Sequence, residues 1–367
     1  MRFKDLKIGI LDRYIIGKFI GTYVFTIAIL IVVIVVFDAV EKIDSFMELN
    51  APLGEIMFTY YLNFVPFFLN QFSSLITFIT VIFFTSKMAY DTEIIAMLSS
   101  GISFLRLMYP YFLSALAITV LSLVLNLFVI PSANAIRIDF ESSYLKKNTV
   151  GNYTDHIYRQ IDDSSYIYLK GYNSKSKNAE YMVLESYEDG VIENSITART
   201  VRFNSTKENW TADKYISHTL NDEGTYIIEK KRGLDTTINL SASEIGKIEY
   251  HIQTLKIGDL NNFIDDQTRK GSNMVTVILV EKYNRFAYPV SAFVLTLIGV
   301  SLSSRKVRGG TGLHIGTGLA LCFSYILFMR FAEEFANGGV IDPMISVWMP
   351  NILYAIIGVY LYRKAPK

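Results

Sequence analysis

Cysteine and histidine are scarce in this chain of 367 residues. The one cysteine, Cys322, excludes an intrachain disulfide, and its apolar surroundings indicate a small packed hydrophobic side chain. The four histidines are His156, His218, His251 and His314. Their spacing does not match that of zinc ligands. The sequence therefore predicts neither a disulfide-stapled domain nor a metal site.

A surplus of positive charge is also lacking, since 35 Lys and Arg stand against 34 Asp and Glu. This balance excludes proteins that bind nucleic acid by neutralising phosphates. The chain contains no G-x-x-x-x-G-K-[ST] loop for ATP phosphates, no G-x-S-x-G turn and no His-Glu-x-x-His pair. We therefore expect no catalytic residue and no cofactor.

Long apolar runs are what the sequence does contain, with 51% hydrophobic and 19% charged residues. A helix needs about 20 apolar residues to cross the hydrocarbon of a bilayer. Three such runs precede a polar insert from Ser132 to Lys282, and three follow it. The predicted spans are Phe19–Phe37, Ile56–Ser86, Leu107–Ile136, Phe286–Ser304, Gly309–Met329 and Pro343–Tyr362. The predicted fold class is a membrane α-helical protein with six transmembrane helices in two triads.

Charge is sorted among the connections between these spans. Residues 1–18 are basic and amphipathic, typical of an interfacial helix or of a plain juxtamembrane tail. The turn at Arg305, Lys306 and Arg308 and the C-terminal tail are also basic, whereas 38–55 and 333–342 are acidic. The positive-inside rule then predicts cytoplasmic termini and an insert on the outer side of the membrane.

The insert shows short alternating runs rich in Tyr, Val, Ile and Thr, separated by turn residues. The runs are Tyr166–Leu169, Tyr181–Leu184, Thr200–Phe203 and Thr225–Glu229. Such spacing predicts an antiparallel sandwich or jellyroll-like all-β domain. A helix is expected over Leu255–Lys270, and Met274–Tyr283 continues into the fourth span. We expect three parts: 1–136 with the first three spans, 137–270 as the β domain and 271–367 with the last three spans.

One short hydrophilic connection carries a helical pattern over 91–100. Asp91 or Thr92 is expected to cap it and Gly101 to end it. Ile94, Met97 and Leu98 then form an apolar stripe. The stripe either rests on the membrane or docks into a groove of a partner protein.

Several separated motifs together resemble a known family. The helix 91–100 region has Glu93, Ile94, Met97, Gly101, Ile102 and Ser103 at the positions of the coupling-helix pattern S-E-[LI]-x-x-[ML]-x-x-x-G-[IL]-S. Further matches are Pro131-x-Ala133-Asn134, Glu281-x-x-x-Arg285-x-Ala287-x-Pro289 and Trp348-x-Pro350-Asn351. The chain resembles the permease subunits of the bacterial lipopolysaccharide exporter, the LptF/LptG (YjgP/YjgQ) family. The opening Leu11-Asp12-Arg13-Tyr14 is more similar to the LptG branch.

The resemblance implies a permease of an ABC exporter in the bacterial inner membrane. Its implied partners are a cytoplasmic ATPase dimer, a second permease subunit, periplasmic jellyroll bridge proteins and lipopolysaccharide. The implied ATPase-coupling residues are Asp91, Glu93, Ile94, Met97, Leu98 and Gly101. Cations expected near the lipid phosphates are Arg137, Lys282, Arg285 and Arg330, although Glu281 and Glu333 or Glu334 are alternative partners for two of them. The LptG branch often has a basic residue near the outer end of span one, whereas this chain has Asp38 and Glu41 there, with Lys42 nearby.

Two other functions remain open from the residues alone. A secondary lipid transporter would need ionisable residues near the middle of the spans, whereas these spans keep their charges at the ends. A membrane scaffold or sensor with an external β domain would usually add a cytoplasmic signalling domain. Gly312-x-x-x-Gly316 is expected to be a small-residue face for close helix packing.

Overall fold

The computed structural model describes residues 8–144, 152–153, 157–162, 164–173, 176–204, 207, 209–221, 223–238, 248–272, 274–305 and 311–365. The chain divides into two compact units. The membrane unit comprises Met1–Met47, Ala51–Arg137 and Leu279–Lys367. The strand unit comprises Glu48–Asn50 and Ile138–Ile278, so along the chain it is an insertion into the membrane unit.

Six of the helices in the described part of the chain are long and apolar enough to cross a membrane, which confirms the predicted number of spans. In chain order the helices are α1 (Ile10–Glu48), α2 (Leu53–Tyr90), α3 (Glu93–Ser99), α4 (Phe104–Glu141), α5 (Ile248–Thr254), α6 (Ile257–Arg269), α7 (Val275–Ser303), α8 (Thr311–Asn337) and α9 (Pro343–Lys364). The helix predicted to run from Met274 into the fourth span is confirmed as the single helix α7.

Helix α1 is much longer than its apolar run, with 39 residues. It includes Asp38 and Lys42, which the sequence assigned to a loop. These two side chains form an ion pair of 2.6 Å one helical turn apart, and Lys42 also hydrogen-bonds the Tyr60 hydroxyl. Because these contacts satisfy the charges, the helix continues beyond the uncharged stretch.

The predicted cationic segments are only partly described. Residues 1–7 of the expected interfacial helix lie outside the described residues, and Ile10–Lys18 forms the start of α1 rather than a separate helix. Arg305 is described, whereas Lys306, Arg308 and the final Lys367 lie outside the described residues.

Proline inside a spanning helix leaves a carbonyl without its usual donor, because proline has no N–H. In α7, Pro289 removes the hydrogen bond that the Arg285 carbonyl would accept. The Asn126 side-chain amide donates to that carbonyl instead, at 3.3 Å. Asn126 belongs to a π-helical turn of α4, Leu125–Val129. An irregular turn in one helix thus satisfies the backbone of another.

Helix α2 contributes to two apolar clusters of the membrane unit. Ile76, Val81 and Phe84 pack in a cluster with side chains of α1, α3 and α4, whereas Phe78 and Ile82 pack with α7, α8 and α9. Helix α2 therefore lies in the interior of the membrane unit, and Asn70 on it is buried.

The strand unit contains one antiparallel sheet, which confirms the all-β character predicted for the insert. Its strands are β1 (Asn152–Tyr153), β2 (Ile157–Gln160), β3 (Ser165–Asn173), β4 (Asn178–Glu188), β5 (Val191–Asn204), β6 (Asn209–Leu220) and β7 (Tyr226–Thr236). The pairing order is β1-β3-β4-β5-β6-β7, with β2 also on β3. The pattern missed β6, whose Trp210 is fully buried in the apolar core.

The glycines that lie at close helix–helix contacts are not the ones that the sequence indicated. Gly312 and Gly316, expected to form a packing face, have no neighbour within 4 Å of an added Cβ in the described structure. A Cβ at Gly299 of α7, in contrast, would lie 2.8 Å from Val81 Cγ1 of α2. Gly299 therefore allows α2 and α7 to approach each other.

We predict that Gly299→Ala lowers the stability of the chain in detergent by about 1 kcal/mol, because α2 and α7 must move apart. Gly21→Ala in α1 is the matched control, since a Cβ there meets nothing within 4 Å. Thermal unfolding should show a lower midpoint for Gly299→Ala only. Equal midpoints for the two variants would contradict the close contact.

Candidate functional site

The short helix α3 connects α2 to α4, and a residue with positive φ lies on each side of it. It is seven residues long, two turns rather than the expected three. Thr92 precedes it in the left-handed region at φ 65°, without a side-chain capping bond, and Asp91 instead ends α2. Gly101 follows at φ 89°, a conformation that glycine adopts at little cost.

The apolar stripe of α3 faces inward. Ile94 is fully buried, and Met97 and Leu98 pack against the same cluster, which also contains Phe104 and Leu107 of α4. The outward side chains include Ile95, which is 43% exposed, and the small residues Ala96 and Ser99. The sequence pattern located the helix but could not tell whether its stripe packs within the chain or against a partner.

Glu93, the first residue of α3, is bound by α1 of the same chain. Its carboxylate accepts hydrogen bonds from the Tyr14 hydroxyl at 2.8 Å and from Lys18 Nζ at 3.1 and 3.2 Å. The Lys18 ammonium also lies 4.3 Å from the centre of the Tyr14 ring. Glu93 therefore attaches α3 to the second and third turns of α1.

A second ionic contact attaches α1 to the start of α4. Arg106 donates to both carboxylate oxygens of Asp12, at 2.6 and 2.7 Å. Asp12 is fully buried and also accepts from the Gly9 amide at 2.8 Å. Bidentate guanidinium–carboxylate pairs are among the strongest side-chain contacts in proteins. The start of α1 is thus held at two points, by Glu93 at the beginning of α3 and by Arg106 in the first turn of α4.

Sequence reasoning named Glu93 but missed its partners. Tyr14 and Lys18 lie one turn apart on α1, a spacing that shows they share a helix face. Nothing in the pattern indicates that this face meets α3, because the two segments are 75 residues apart for Lys18 and Glu93.

The four expected phosphate-binding cations have different surroundings. Arg137 is buried, its guanidinium lies 4.9 Å from the centre of the Phe67 ring, and its Nε has no hydrogen-bond partner in the described structure. Arg285 is buried and contacts Glu281 at 3.4 Å. Lys282 is half-buried. The structure thus does not bring the four cations together in one ion-pair network of described residues.

Arg330 is the most exposed of them, with 60% of its side chain accessible, and it donates to Glu333 at 2.9 Å. The Glu333 carboxylate also accepts from Asn284 at 3.0 Å and Tyr288 at 2.7 Å, both on α7. This buried carboxylate binds one nitrogen of the Arg330 guanidinium, while the Arg330 side chain as a whole stays exposed. The expected pairing alternative with Glu333 is the one observed.

A cavity of about 110 Å³ lies between α2, α7 and α8 beside this network, lined by residues that include Gln71, Tyr288 and Arg330. At about 30 Å³ per water it can hold a few waters only. A lipid with several acyl chains does not fit. By contrast, α1 has an extended exposed apolar surface that includes Phe25, Val32 and Phe37.

The comparison with protein families gives one decisive match. The model of the lipopolysaccharide export system permease LptF/LptG matches residues 13–364, nearly the whole chain. The chain belongs to the LptF/LptG family. It is accordingly a multi-pass inner-membrane protein and a transport subunit rather than an enzyme. The match does not separate the two branches, so the LptG assignment stays a prediction. The curated proteins contain no match.

For this LptF/LptG chain we predict that Asp12→Asn destabilises the fold, because Arg106 then loses its counter-charge at a buried carboxylate site. A double-mutant cycle with Arg106→Gln should give a coupling energy of about 1–3 kcal/mol in detergent unfolding.

The control for this cycle is Glu229→Gln in the strand unit, which removes one side of the solvent-exposed Glu229–Lys231 pair. Exposed pairs contribute little to stability, so this variant should unfold like the parent. A coupling energy near zero for Asp12 and Arg106 would contradict their role in holding α1.

Proposed function

We propose that this chain is the membrane permease subunit of an ABC exporter that extracts lipopolysaccharide from the outer leaflet of the inner membrane. The lipid then passes through the β domain to a periplasmic jellyroll bridge that leads to the outer membrane. Membership of the LptF/LptG family over residues 13–364 is the observation that carries this proposal. The functional parts are 1–136, 137–270 and 271–367, with cytoplasmic termini and a periplasmic insert.

Energy enters from a separate cytoplasmic ATPase dimer, since this sequence has no phosphate-binding loop. The docking element is the region from Asp91 to Gly101. Because Ile94, Met97 and Leu98 are packed within the chain, the partner contacts the opposite face, where Ile95 is exposed. Ile95 is an apolar anchor surrounded by small side chains, a typical composition for a helix that fits a groove.

Movement of α3 is transmitted to α1 through two ionic contacts, one at the start of α3 and one in the first turn of α4. Glu93 connects α3 to Lys18 and Tyr14, and Arg106 connects the adjoining turn of α4 to Asp12. Two contacts separated along one helix transmit rotation as well as translation. Glu93 is therefore a coupling residue within the chain, in addition to any contact with the ATPase.

The lipid binds between two permease subunits rather than inside one. The exposed apolar surface of α1 and the small size of the cavity beside α7 and α8 support this arrangement. Lipopolysaccharide enters between α1 of one subunit and α8 of the other. Arg330 on α8 is the best candidate for a phosphate contact, because its guanidinium is exposed and its position is fixed by Glu333. Arg137, Lys282 and Arg285 are further candidates.

Glu93→Lys should abolish ATP-dependent lipopolysaccharide release or ATPase co-purification while leaving membrane insertion intact. The exchanged pair Lys18→Glu/Glu93→Lys restores opposite charges and should recover part of the transport. Proteoliposomes containing the purified complex give both readouts. Normal export by the single variant would refute the coupling role of Glu93. A parent chain that purifies without any nucleotide-binding partner and transports without ATP would refute the proposed exporter.

The two faces of α3 should respond differently to the same substitution. Ile95→Asp is expected to weaken ATPase capture about tenfold, or ~1.4 kcal/mol, without changing the unfolding temperature. Ile94→Asp is expected to lower the unfolding temperature, because it buries a carboxylate in the apolar cluster. Pull-down and thermal unfolding measure the two effects. Unchanged capture by Ile95→Asp would mean that the partner uses another surface.

A further inference from the structure

The β domain has a positively charged groove, and the proposed function assigns no role to the residues that line it. It has a volume of about 870 Å³ and lies over β4–β7. We call it the cationic trough. The side chains that define it are Arg199, Arg202, Lys214, Lys230 and Arg232, all exposed. Asp213 also lines the trough, as does Lys231, which pairs with Glu229 at 2.6 Å.

The trough lies where the sheet opens. Cross-strand pairing of β5 and β6 joins Asn194–Thr197 to Ile216–Thr219 and resumes only at Arg202 opposite Thr211. Over 198–201 and 212–215 the two strands are not paired with each other. An opened ladder exposes backbone donors and acceptors that a closed sheet would use internally. Arg199 and Lys214 lie within these two open stretches.

Like charges face each other across the neighbouring ladder. Lys214 is directly opposite Arg232 on β7. Like charges directly opposite in an antiparallel pair destabilise a sheet. None of the five cations that define the trough has an ion-pair partner within 4.0 Å in the described structure. Arg202 donates to a neutral group, the Asn178 side-chain oxygen, at 3.2 Å. The fold thus retains electrostatic repulsion between Lys214 and Arg232, which an acidic residue at either position would remove.

A strained residue borders the same groove. Tyr181 of β4 has φ 49°, in the left-handed region that bulky side chains rarely adopt, and it lines the trough with an exposed ring. Such backbone strain tends to occur at ligand sites. The ring supplies a flat apolar surface beside the cations, a combination suited to a sugar that carries charged groups.

We infer that the cationic trough binds a saccharide bearing more than one phosphate. Arginine and lysine side chains supply only donors and positive charge, so the complementary ligand has acceptors and negative charge. The volume falls within the range of about 300–1,000 Å³ typical of small-ligand sites and exceeds the needs of one inorganic phosphate. The phosphate chemistry follows from the trough itself. That the saccharide is the headgroup of an exported glycolipid rests on the proposed function.

The test uses the full chain in nanodiscs of zwitterionic lipid, without ATPase. The probe is a fluorescent, deacylated disaccharide carrying two phosphates, compared with the same disaccharide after phosphatase treatment. Binding of the phosphorylated probe alone is the expected result. Inorganic pyrophosphate is then added as a competitor of the phosphorylated probe. If it displaces the probe only in large excess, the ligand is a lipid headgroup. If it competes as well as the unlabelled disaccharide does, the ligand is free phosphate.

Lys214→Glu is the diagnostic variant because it should weaken probe binding without lowering the stability of the chain. Binding should fall about tenfold or more, since a charge-assisted contact is replaced by repulsion. The unfolding temperature should stay equal or rise, since the introduced carboxylate would face Arg232 as an opposite charge. Arg232→Lys should keep most of the binding.

Lys170→Glu is the matched control, since Lys170 is exposed on β3 and does not line the trough. Unchanged binding in Lys214→Glu, an equal loss in Lys170→Glu, or equal binding of the neutral disaccharide would each overturn the inference. This test measures binding and not export. A chain that binds the probe but cannot export lipopolysaccharide would therefore contradict the proposed function and leave the present inference standing.

Discussion

Hydrocarbon cannot hydrogen-bond, and this constraint shapes the whole membrane unit. Helices satisfy most of the backbone internally, so each exception needs a partner from a neighbouring helix. The Asn126 amide on the Arg285 carbonyl is such a partner. The buried side-chain carboxylate of Glu333 is satisfied in a similar way by Asn284 and Tyr288 of α7. These polar contacts also determine which helices stay together, because apolar side chains alone have little preference between lipid and protein.

The contacts that hold the start of α1 against α3 and α4 follow a different rule, since they combine charge with burial. Asp12 is fully buried yet ionically paired, and Glu93 is shared between a tyrosine and a lysine. Removing one partner of such a pair is costly, whereas moving both partners together is not. The start of α1 therefore follows α3 and α4 as one body, which suits an element through which another protein acts.

Much of the architecture could be predicted because hydrophobic periodicity and charge sorting are local properties. The six spans, the β insert and the helix near Glu93 follow from them. The extension of α1 beyond Asp38 could not, since it depends on Lys42 and on Tyr60 from the next helix. The orientation of the Ile94 stripe and the opening between β5 and β6 likewise depend on contacts between distant segments, which a single sequence does not reveal.

Helix α1 contains no proline, unlike α2, α4, α7 and α9. A helix of 39 residues is roughly 58 Å long at 1.5 Å per residue, and without a proline kink it behaves as a stiff rod. Tilting such a rod by about 5° about Asp12 displaces its far end, near Phe46, by roughly 4 Å. A small angular change at the ionic contacts is thereby amplified into a lateral shift comparable to the width of an acyl chain.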